Sequence, residues 1–242
     1  METARLGRTG IELTRIGLGC GSFGGIGSDP ATWDQGESEE EAFELLDAAV
    51  AAGIGFLDTA ASYGGGRSEA WIGNWREERG SPVLLSSKVF SSVTGDPDDY
   101  GLAGERILRE IEGTLERLRT EQVDMYLTHA PDPETPIEET LRVLDELVRA
   151  GKVRAIGGSN LEAAQLEEAL ETSERLGLAR YEWVQNEYSL LERDSEDVME
   201  ICEREGLGFT RTQNRGFARW VERLSRPSAV RGSRTARLAD GL

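Results

Sequence analysis

Short apolar runs alternate along the chain with longer segments in which apolar residues recur at helical spacing. Ile107, Ile111, Leu115 and Leu118, for example, fall on one face of a helix. The short runs are bounded by glycine or polar residues, as buried strands are. The pattern predicts strands over residues 15–20, 54–58, 83–88, 123–129, 152–157, 182–185 and 207–210, and helices over 38–52, 105–118, 136–150, 161–176 and 195–205.

Capping residues indicate where two of these helices begin. Ser38 is followed three residues later by Glu41, and Thr135 by Glu138. Both pairs fit the capping box, in which the two side chains bond reciprocally to backbone amides at a helix start. Pro136 also suits the first helical position, where no amide hydrogen is needed. We therefore expect a capping box at the start of each helix.

The alternation of strand and helix predicts βαβ crossovers and a parallel sheet. Residues 3–6 and 11–13 flank a Gly-Arg-Thr-Gly turn and add an N-terminal β-hairpin. A doubly wound sheet and a closed barrel both satisfy the alternation. No G-x-G-x-x-G fingerprint precedes a helix, and the glycines near residue 20 lead into a long loop. This favours the barrel, for which 242 residues is a usual length.

Four polar residues stand at or just after predicted strand ends, where barrels carry their reactive groups. Asp58, Lys88 and His129 each close an apolar run, and Tyr63 lies in the loop after Asp58. Structural interpretations exist for three of them: Asp58 as a turn cap, Tyr63 as a surface residue and His129 as a packed histidine. Lys88 is one of only two lysines beside 25 arginines, which indicates a role that arginine cannot fill.

Together the four residues fit the reduction of a carbonyl group. A free tyrosine has a pKa near 10, which is high for a proton donor at neutral pH. The ammonium of Lys88 would lower the pKa of Tyr63, and Asp58 would keep that ammonium charged and in place. His129 would hold the carbonyl oxygen near the phenol. Such a site can add a hydride to carbon and a proton to oxygen.

Four segments of the chain resemble the aldo-keto reductase family. They read GFLDTAASYG at 55–64, continued by GRSE at 66–69, then LTHAPDP at 127–133, GKVRAIGGSN at 151–160 and VQNEYSLL at 184–191. Their order, with Lys88 between the first two, makes the resemblance specific, and it covers residues 4 to about 209. It implies an α/β fold, a (β/α)8 TIM barrel with an N-terminal hairpin, and carries the family's catalytic roles to Asp58, Tyr63, Lys88 and His129.

The same resemblance implies a nicotinamide cofactor and a small-molecule carbonyl substrate. Family members bind the nicotinamide carboxamide through a Ser-Asn pair and a glutamine, and these roles carry over to Ser159, Asn160 and Gln185. The resemblance implies NADPH over NADH, although NADH stays possible. It therefore predicts an NADP-dependent oxidoreductase that reduces an aldehyde or ketone, with Tyr63 as general acid.

Composition limits which binding partners and which cellular location we expect. The net charge of −18 disfavours binding to nucleic acid, and we interpret it as a solvated surface, with adaptation to high salt as the alternative. No apolar run approaches the roughly 18 residues of a membrane span, and the N-terminus shows no secretory signal. A cytoplasmic protein without membrane contact is expected. Two cysteines and one histidine make a metal site unexpected.

The resemblance stops after Phe209. Residues 211–242 contain eight arginines and only two acidic residues, and neither the family's stacking aromatic residue nor an eighth strand is recognisable. We therefore expect a barrel over 1–209 with about seven strands, strand eight missing, and an atypical tail over 210–242. A truncated or frameshifted gene explains the tail best; native divergence or a basic amphipathic helix around Phe217–Leu224 are alternatives. NADPH is expected to bind weakly.

Two other functions compete with carbonyl reduction. The first is a truncated, catalytically weak barrel that acts as a binding module or a folding remnant. The second is a Schiff-base lyase with Lys88 as the nucleophile. Tyr63 and the cofactor-type segments at 157–160 and 185–188 argue against the lyase.

Overall fold

The computed structural model describes residues 1–212. Two antiparallel strands, β1 (Thr3–Arg5) and β2 (Glu12–Thr14), form the N-terminal hairpin. Seven parallel strands follow and pair in chain order. They are β3 (Leu18–Gly19), β4 (Phe56–Asp58), β5 (Leu84–Val89), β6 (Val123–Thr128), β7 (Val153–Ser159), β8 (Tyr181–Glu187) and β9 (Gly208–Thr212).

Six helices connect consecutive strands of this sheet. They are α1 (Glu39–Ala51), α2 (Arg67–Arg79), α3 (Gly104–Leu118), α4 (Ile137–Arg149), α5 (Ala163–Leu176) and α6 (Glu196–Glu205). Two short 3-10 turns precede the first two, at Pro30–Thr32 and Tyr63–Gly66. The predicted α/β barrel with a hairpin and about seven strands is confirmed over the described residues, and every predicted strand and helix is present. Helix α2 was not predicted.

One of the two predicted capping boxes forms. The hydroxyl of Ser38 accepts the amide of Glu41, and the Glu41 carboxylate accepts the amide of Ser38 at 2.8 Å. The box at Thr135 is wrong. Its hydroxyl donates instead to Asp132 at 2.8 Å, and α4 begins after Pro136 without a side-chain cap. The charged bond to Asp132 holds the Thr135 hydroxyl, and the cap position is taken by Pro136, which has no side chain that could accept an amide.

Strand alternation divides the apolar residues into two cores. Side chains on one face pack against the helices, as Leu85 and Val89 of β5 do. Side chains on the other face fill the inside of the curled sheet, where Phe56 and Trp183 meet edge to face at 5.6 Å between ring centroids. Lys88 shares the inner face of β5 because successive side chains of a strand point to opposite faces.

The hairpin covers the inner core at the N-terminal end of the strands. Leu6, Ile11 and Leu13 are buried together with Phe56 and Trp183, and the amide of Arg8 donates to the Glu182 carboxylate at 2.9 Å. The carboxyl ends of the strands lie at the opposite end, where parallel strands place their functional side chains.

Strand β9 runs through Thr212, three residues past the predicted end of the barrel at 209, because residues 208–212 continue the parallel pairing with β8. The rest of the predicted tail, residues 213–242, lies outside the described residues. The expected missing eighth strand and the helical stretch Phe217–Leu224 lie there too. Over residues 1–212, no helix has the length and apolar character that crossing a bilayer requires.

Candidate active site

Neighbouring strand ends bring the four predicted catalytic side chains to one place. Asp58 is the last residue of β4, Lys88 is next to last in β5, and His129 directly follows β6. Tyr63 begins the 3-10 turn Tyr63–Gly66 that follows β4. Because β4, β5 and β6 are adjacent parallel strands, their carboxyl ends share one edge of the sheet.

Lys88 and Asp58 form a buried ion pair. The Lys88 Nζ donates to both carboxylate oxygens of Asp58, at 2.9 and 3.0 Å, and to the carbonyl of Thr59 at 2.8 Å. All three ammonium hydrogens therefore have an acceptor. The hydroxyl of Ser86 donates to the same carboxylate at 2.5 Å. These bonds fix the ammonium in one position.

Tyr63 lies between this ion pair and His129. The Tyr63 hydroxyl is 3.3 Å from His129 Nε2, and the two rings meet edge to face with centroids 5.4 Å apart. The Lys88 Nζ lies 5.0 Å from the centroid of the Tyr63 ring. The structure thus places His129 and Lys88 beside Tyr63, and Asp58 holds Lys88 there.

Burial dominates the acidity of Tyr63. It raises the pKa of the phenol above its usual value of 10, while the charge of Lys88 acts in the opposite direction. The predicted lowering of the Tyr63 pKa is therefore wrong for the net shift, although Lys88 contributes as expected. Burial also lowers the pKa of Lys88, but attraction to Asp58 and to Tyr63 outweighs it, so the net shift is upward. At neutral pH the phenol is protonated and Lys88 is charged.

His129 is neutral at physiological pH. Burial, followed by repulsion from Lys88, lowers the pKa of its imidazole to about 3. Its backbone is held on both sides: the amide donates to the Val89 carbonyl at 2.9 Å, and the carbonyl accepts Asn160 Nδ2 at 2.8 Å. A neutral imidazole carries a single N–H, so Nε2 can act toward the site either as donor or as acceptor.

The three predicted cofactor residues lie on the adjoining strand ends. Ser159 ends β7, Asn160 follows it, and Gln185 is the register partner of Ser159 on β8. The hydroxyl of Ser159 donates to the Gln185 backbone carbonyl at 2.7 Å, and the backbone N–H of Asn160 donates to the same carbonyl at 3.0 Å. Within residues 1–212 no hydrogen bond engages the side-chain amide of Gln185, although the residue is only 2% exposed.

A loop between β3 and α1 packs beside Tyr63 and forms one wall of the site. The amide of Gly64 donates to the Gly27 carbonyl at 3.1 Å, and the hydroxyls of Ser28 and Ser62 lie 2.7 Å apart. Gly64 has φ of 59°, and a Cβ there would lie 2.5 Å from the carbonyl oxygen of Phe23. Only glycine permits this approach, so the residue after Tyr63 sets how near the loop comes.

Sequence reasoning missed the residues that support these groups. Ser86 was recognised only as part of a strand, yet it bonds to Asp58. Its position two residues before Lys88, on the same face of β5, was the available signal. Asn186 was quoted without a role; its side chain bonds to both the amide and the carbonyl of Leu161, at 3.1 and 2.8 Å.

Among the described residues, no group of three or more His, Cys, Asp or Glu side chains could hold a metal.

Comparison with protein families gives one assignment. The model of the "Aldo/keto reductase family" matches residues 15–214. This range contains Asp58, Tyr63, Lys88 and His129 and all three residues of the adjoining strand ends.

Individual relatives agree with that assignment. The aldo-keto reductase YhdN of Bacillus subtilis is 37% identical over 199 residues, which are 81% of this chain and 56% of the relative. The uncharacterized oxidoreductase YrpG of the same organism is 34% identical, over 99% of this chain and 74% of its own length. The NADH-specific methylglyoxal reductase of Escherichia coli is 33% identical, over 86% of this chain and 65% of its own length. The chain thus spans little more than half of the first relative.

A solved structure shows the same fold. The thermostable aldo-keto reductase Tm1743, solved in complex with the inhibitor epalrestat, superimposes with a TM-score of 0.73 and 34% sequence identity. The superposition covers 93% of this chain and 79% of the other.

Proposed function

Because the chain belongs to the aldo/keto reductase family, we propose that it reduces an aldehyde or ketone to an alcohol with a reduced nicotinamide cofactor, and that Tyr63 donates the proton. One observation carries the proposal. The Tyr63 hydroxyl lies 3.3 Å from the neutral His129, while the ammonium of Lys88, held by Asp58, lies 5.0 Å from the Tyr63 ring.

The residues on β7 and β8 fit the cofactor's carboxamide. A carboxamide has two donors and an acceptor, so its binding site needs groups of both kinds. The side chains of Ser159, Asn160 and Gln185 supply them, and the Gln185 amide has no bond to give up within the described residues. We assign the carboxamide to these three side chains. We propose NADPH as the cofactor, with NADH as the alternative that the Escherichia coli relative suggests.

The bound cofactor supplies the hydride. The chain's own side chains supply the proton and orient the carbonyl oxygen that receives it. As the carbonyl carbon is reduced, its oxygen becomes strongly basic and takes the proton of Tyr63. Because burial keeps the phenol protonated, that proton is present throughout the neutral range. The neutral imidazole of His129, with hydrogen on Nε2, donates to the carbonyl oxygen and orients it toward the phenol.

Lys88 stabilises the Tyr63 phenolate that remains after proton transfer. The phenolate of Tyr63 is costly in a buried site unless a positive charge lies nearby. The Lys88 ammonium supplies this charge, and its bond of 2.9 Å to Asp58 holds it in place. A charge that is already in place stabilises the developing phenolate without the cost of reorganising the site.

The same bonds disfavour the Schiff-base alternative. A nucleophilic lysine must be neutral, which requires a lowered pKa. Lys88 donates all three hydrogens to Asp58 and Thr59, and the net shift of its pKa is upward. Its amine is therefore charged and fully engaged rather than available for attack.

A test uses the full chain and a panel of aromatic and aliphatic aldehydes. Consumption of reduced cofactor and formation of the alcohol should both occur with the wild type. Tyr63→Phe should lower the rate by about 10²- to 10⁴-fold, since that is the usual contribution of a general acid. The exposed Tyr100→Phe is the matched control and should retain the wild-type rate. An active Tyr63→Phe variant would remove the acid role from Tyr63, and an inactive wild type would support the binding-module alternative.

A further inference from the structure

The first turn of α2 carries polar residues that the proposed reaction does not use. Ser68 and Glu69 belong to the GRSE segment that follows Tyr63 in the family resemblance, and both are fully buried. Buried polar and charged side chains are costly unless they are hydrogen-bonded. Each of the two reaches a different strand end, and each contacts a neighbour of Asp58 or Lys88.

Ser68 connects three chain segments. Its hydroxyl donates to the Cys20 carbonyl at 2.8 Å and lies 2.7 Å from the Thr59 hydroxyl. Since Ser68 has one hydrogen and gives it to Cys20, Thr59 must be the donor in the second bond. Thr59 follows Asp58 directly, and its carbonyl accepts a hydrogen bond from Lys88 at 2.8 Å. Ser68 thus fixes the residue that carries one of the acceptors of the Lys88 ammonium.

Glu69 acts in the same way on β5. One of its carboxylate oxygens accepts the hydroxyl of Ser87, and the other accepts Arg117 Nε at 2.7 Å. Ser87 directly precedes Lys88 and points to the opposite face of the strand. Glu69 of α2 therefore holds β5 next to Lys88 from the face of the strand opposite to the Lys88 side chain. Arg117 of α3 in turn holds Glu69.

We propose that Ser68 and Glu69 are positioning residues, which hold Asp58 and Lys88 so that the ammonium faces Tyr63; the inference rests on the proposed function. The juxtaposition is specific: consecutive residues of one helical turn contact Thr59 and Ser87, the chain neighbours of Asp58 and Lys88. A buried ion pair contributes little net stability compared with apolar residues of the same size. The placement of Glu69 and Arg117 is better explained by geometry than by stability.

Glu69→Gln in the full chain tests the proposal. The amide keeps the size of the side chain but presents an N–H or a weaker acceptor to Ser87 and Arg117. We expect kcat for carbonyl reduction to fall by about 10- to 100-fold, because small displacements of catalytic groups have effects of this order. The KM for NADPH should stay within about twofold, because the carboxamide residues lie on β7 and β8, away from Glu69.

Asp145→Asn is the matched control. Asp145 is also a buried carboxylate, paired with Arg149 at 2.7 Å and bonded to the amide of Ala179 at 2.8 Å, and neither partner belongs to β4 or β5. It should lower stability without lowering kcat. Ser87→Ala removes the contact to Glu69 with a smaller change and should lower kcat in the same direction if Glu69→Gln does not fold. Unchanged kcat in both test variants would overturn the proposal.

A second measurement does not depend on turnover. The chain has two lysines, so ¹³C,¹⁵N-lysine labelling gives separate side-chain signals for Lys88 and Lys152. In Glu69→Gln we expect the Lys88 signals to shift and its ammonium hydrogens to exchange faster with water, whereas the Lys152 signals should not move. In Asp145→Asn the Lys88 signals should match those of the wild type. An unperturbed Lys88 signal in Glu69→Gln would refute the positioning role. If the wild type lacks reductase activity, the proposed function fails, and these signals still decide whether Glu69 positions Lys88.

Discussion

The ammonium of Lys88 contacts both carboxylate oxygens of Asp58 while its side chain is fully buried. Burial alone would favour the neutral amine, because a charge loses its hydration in the interior. Asp58 reverses this preference and keeps Lys88 charged beside Tyr63. The ion pair therefore contributes both to the stability of the fold and to the charge of Lys88 beside Tyr63. Removing the pair should affect both.

Asp58→Asn should destabilise the protein and lower the pKa of Lys88. Breaking a buried ion pair leaves one charge without its partner, which costs about 3 kcal/mol; the lower end of the usual range applies because Asp58 remains partly exposed. Urea unfolding measures the loss, and NMR of the lysine side chains follows the titration of Lys88. The exposed Asp96→Asn should change stability by less than about 0.5 kcal/mol. Equal stability of the two variants would contradict the assigned role of the pair.

The sole histidine should make the stability of the protein fall in weak acid. His129 has a pKa of about 3 in the folded chain and about 6.5 when unfolded. Between these values the unfolded chain binds one more proton, so stability present above pH 6.5 is lost as the pH falls toward 3. The slope is about 1.4 kcal/mol per pH unit. His129→Gln should lack this contribution, and the difference between the two slopes from pH 6 to pH 5 measures it. Parallel slopes would mean that His129 is protonated in the folded state.

Much of the fold could be predicted because hydrophobic periodicity reports burial directly. The seven parallel strands and five of the six connecting helices follow from it. Helix α2 was missed because its buried face includes Ser68, Glu69 and Gly73, and polar or small residues there remove the apolar spacing that identifies a helix. Two of the residues that break the pattern, Ser68 and Glu69, bond to Thr59 after β4 and to Ser87 of β5.

The candidate site was predictable in its position but not in its electrostatics. Strand ends place Asp58, Lys88 and His129 together, since parallel strands end at one edge. The net rise in the pKa of Tyr63 depends on its burial under the loop after β3, and the sequence gives no measure of how closely that loop packs. The supporting bonds of Ser68 and Glu69 join separate elements, at separations of 9 to 48 residues, and appear only in the folded structure.

Asn160 should contribute to cofactor binding through its unusual backbone. It has φ of 58°, which asparagine and glycine tolerate, and its side-chain amide donates to the His129 carbonyl. Asn160→Gly keeps the backbone and removes the amide, so the Kd for NADPH should rise about tenfold, the equivalent of one hydrogen bond. Asn160→Ala should show the same loss and a further destabilisation of about 1 kcal/mol. Fluorescence titration and thermal unfolding separate the two effects. Wild-type affinity in Asn160→Gly would exclude a role in binding.

Gly157→Ala should disrupt the cofactor residues from within the sheet. A Cβ at Gly157 would lie 2.2 Å from the Trp183 carbonyl oxygen, and a backbone atom cannot rotate away as a side chain can. Strands β7 and β8 would have to separate there, two residues before Ser159 and its bond to Gln185. We expect a loss of about 2–3 kcal/mol in stability, the usual cost of overpacking, together with weaker NADPH binding. Gly55→Ala is the matched control, since its Cβ would meet Thr14 at an ordinary 3.6 Å. If Gly157→Ala folded and bound NADPH as the control does, the carboxamide would not depend on the spacing of β7 and β8, and its assignment to Ser159 and Gln185 would be wrong.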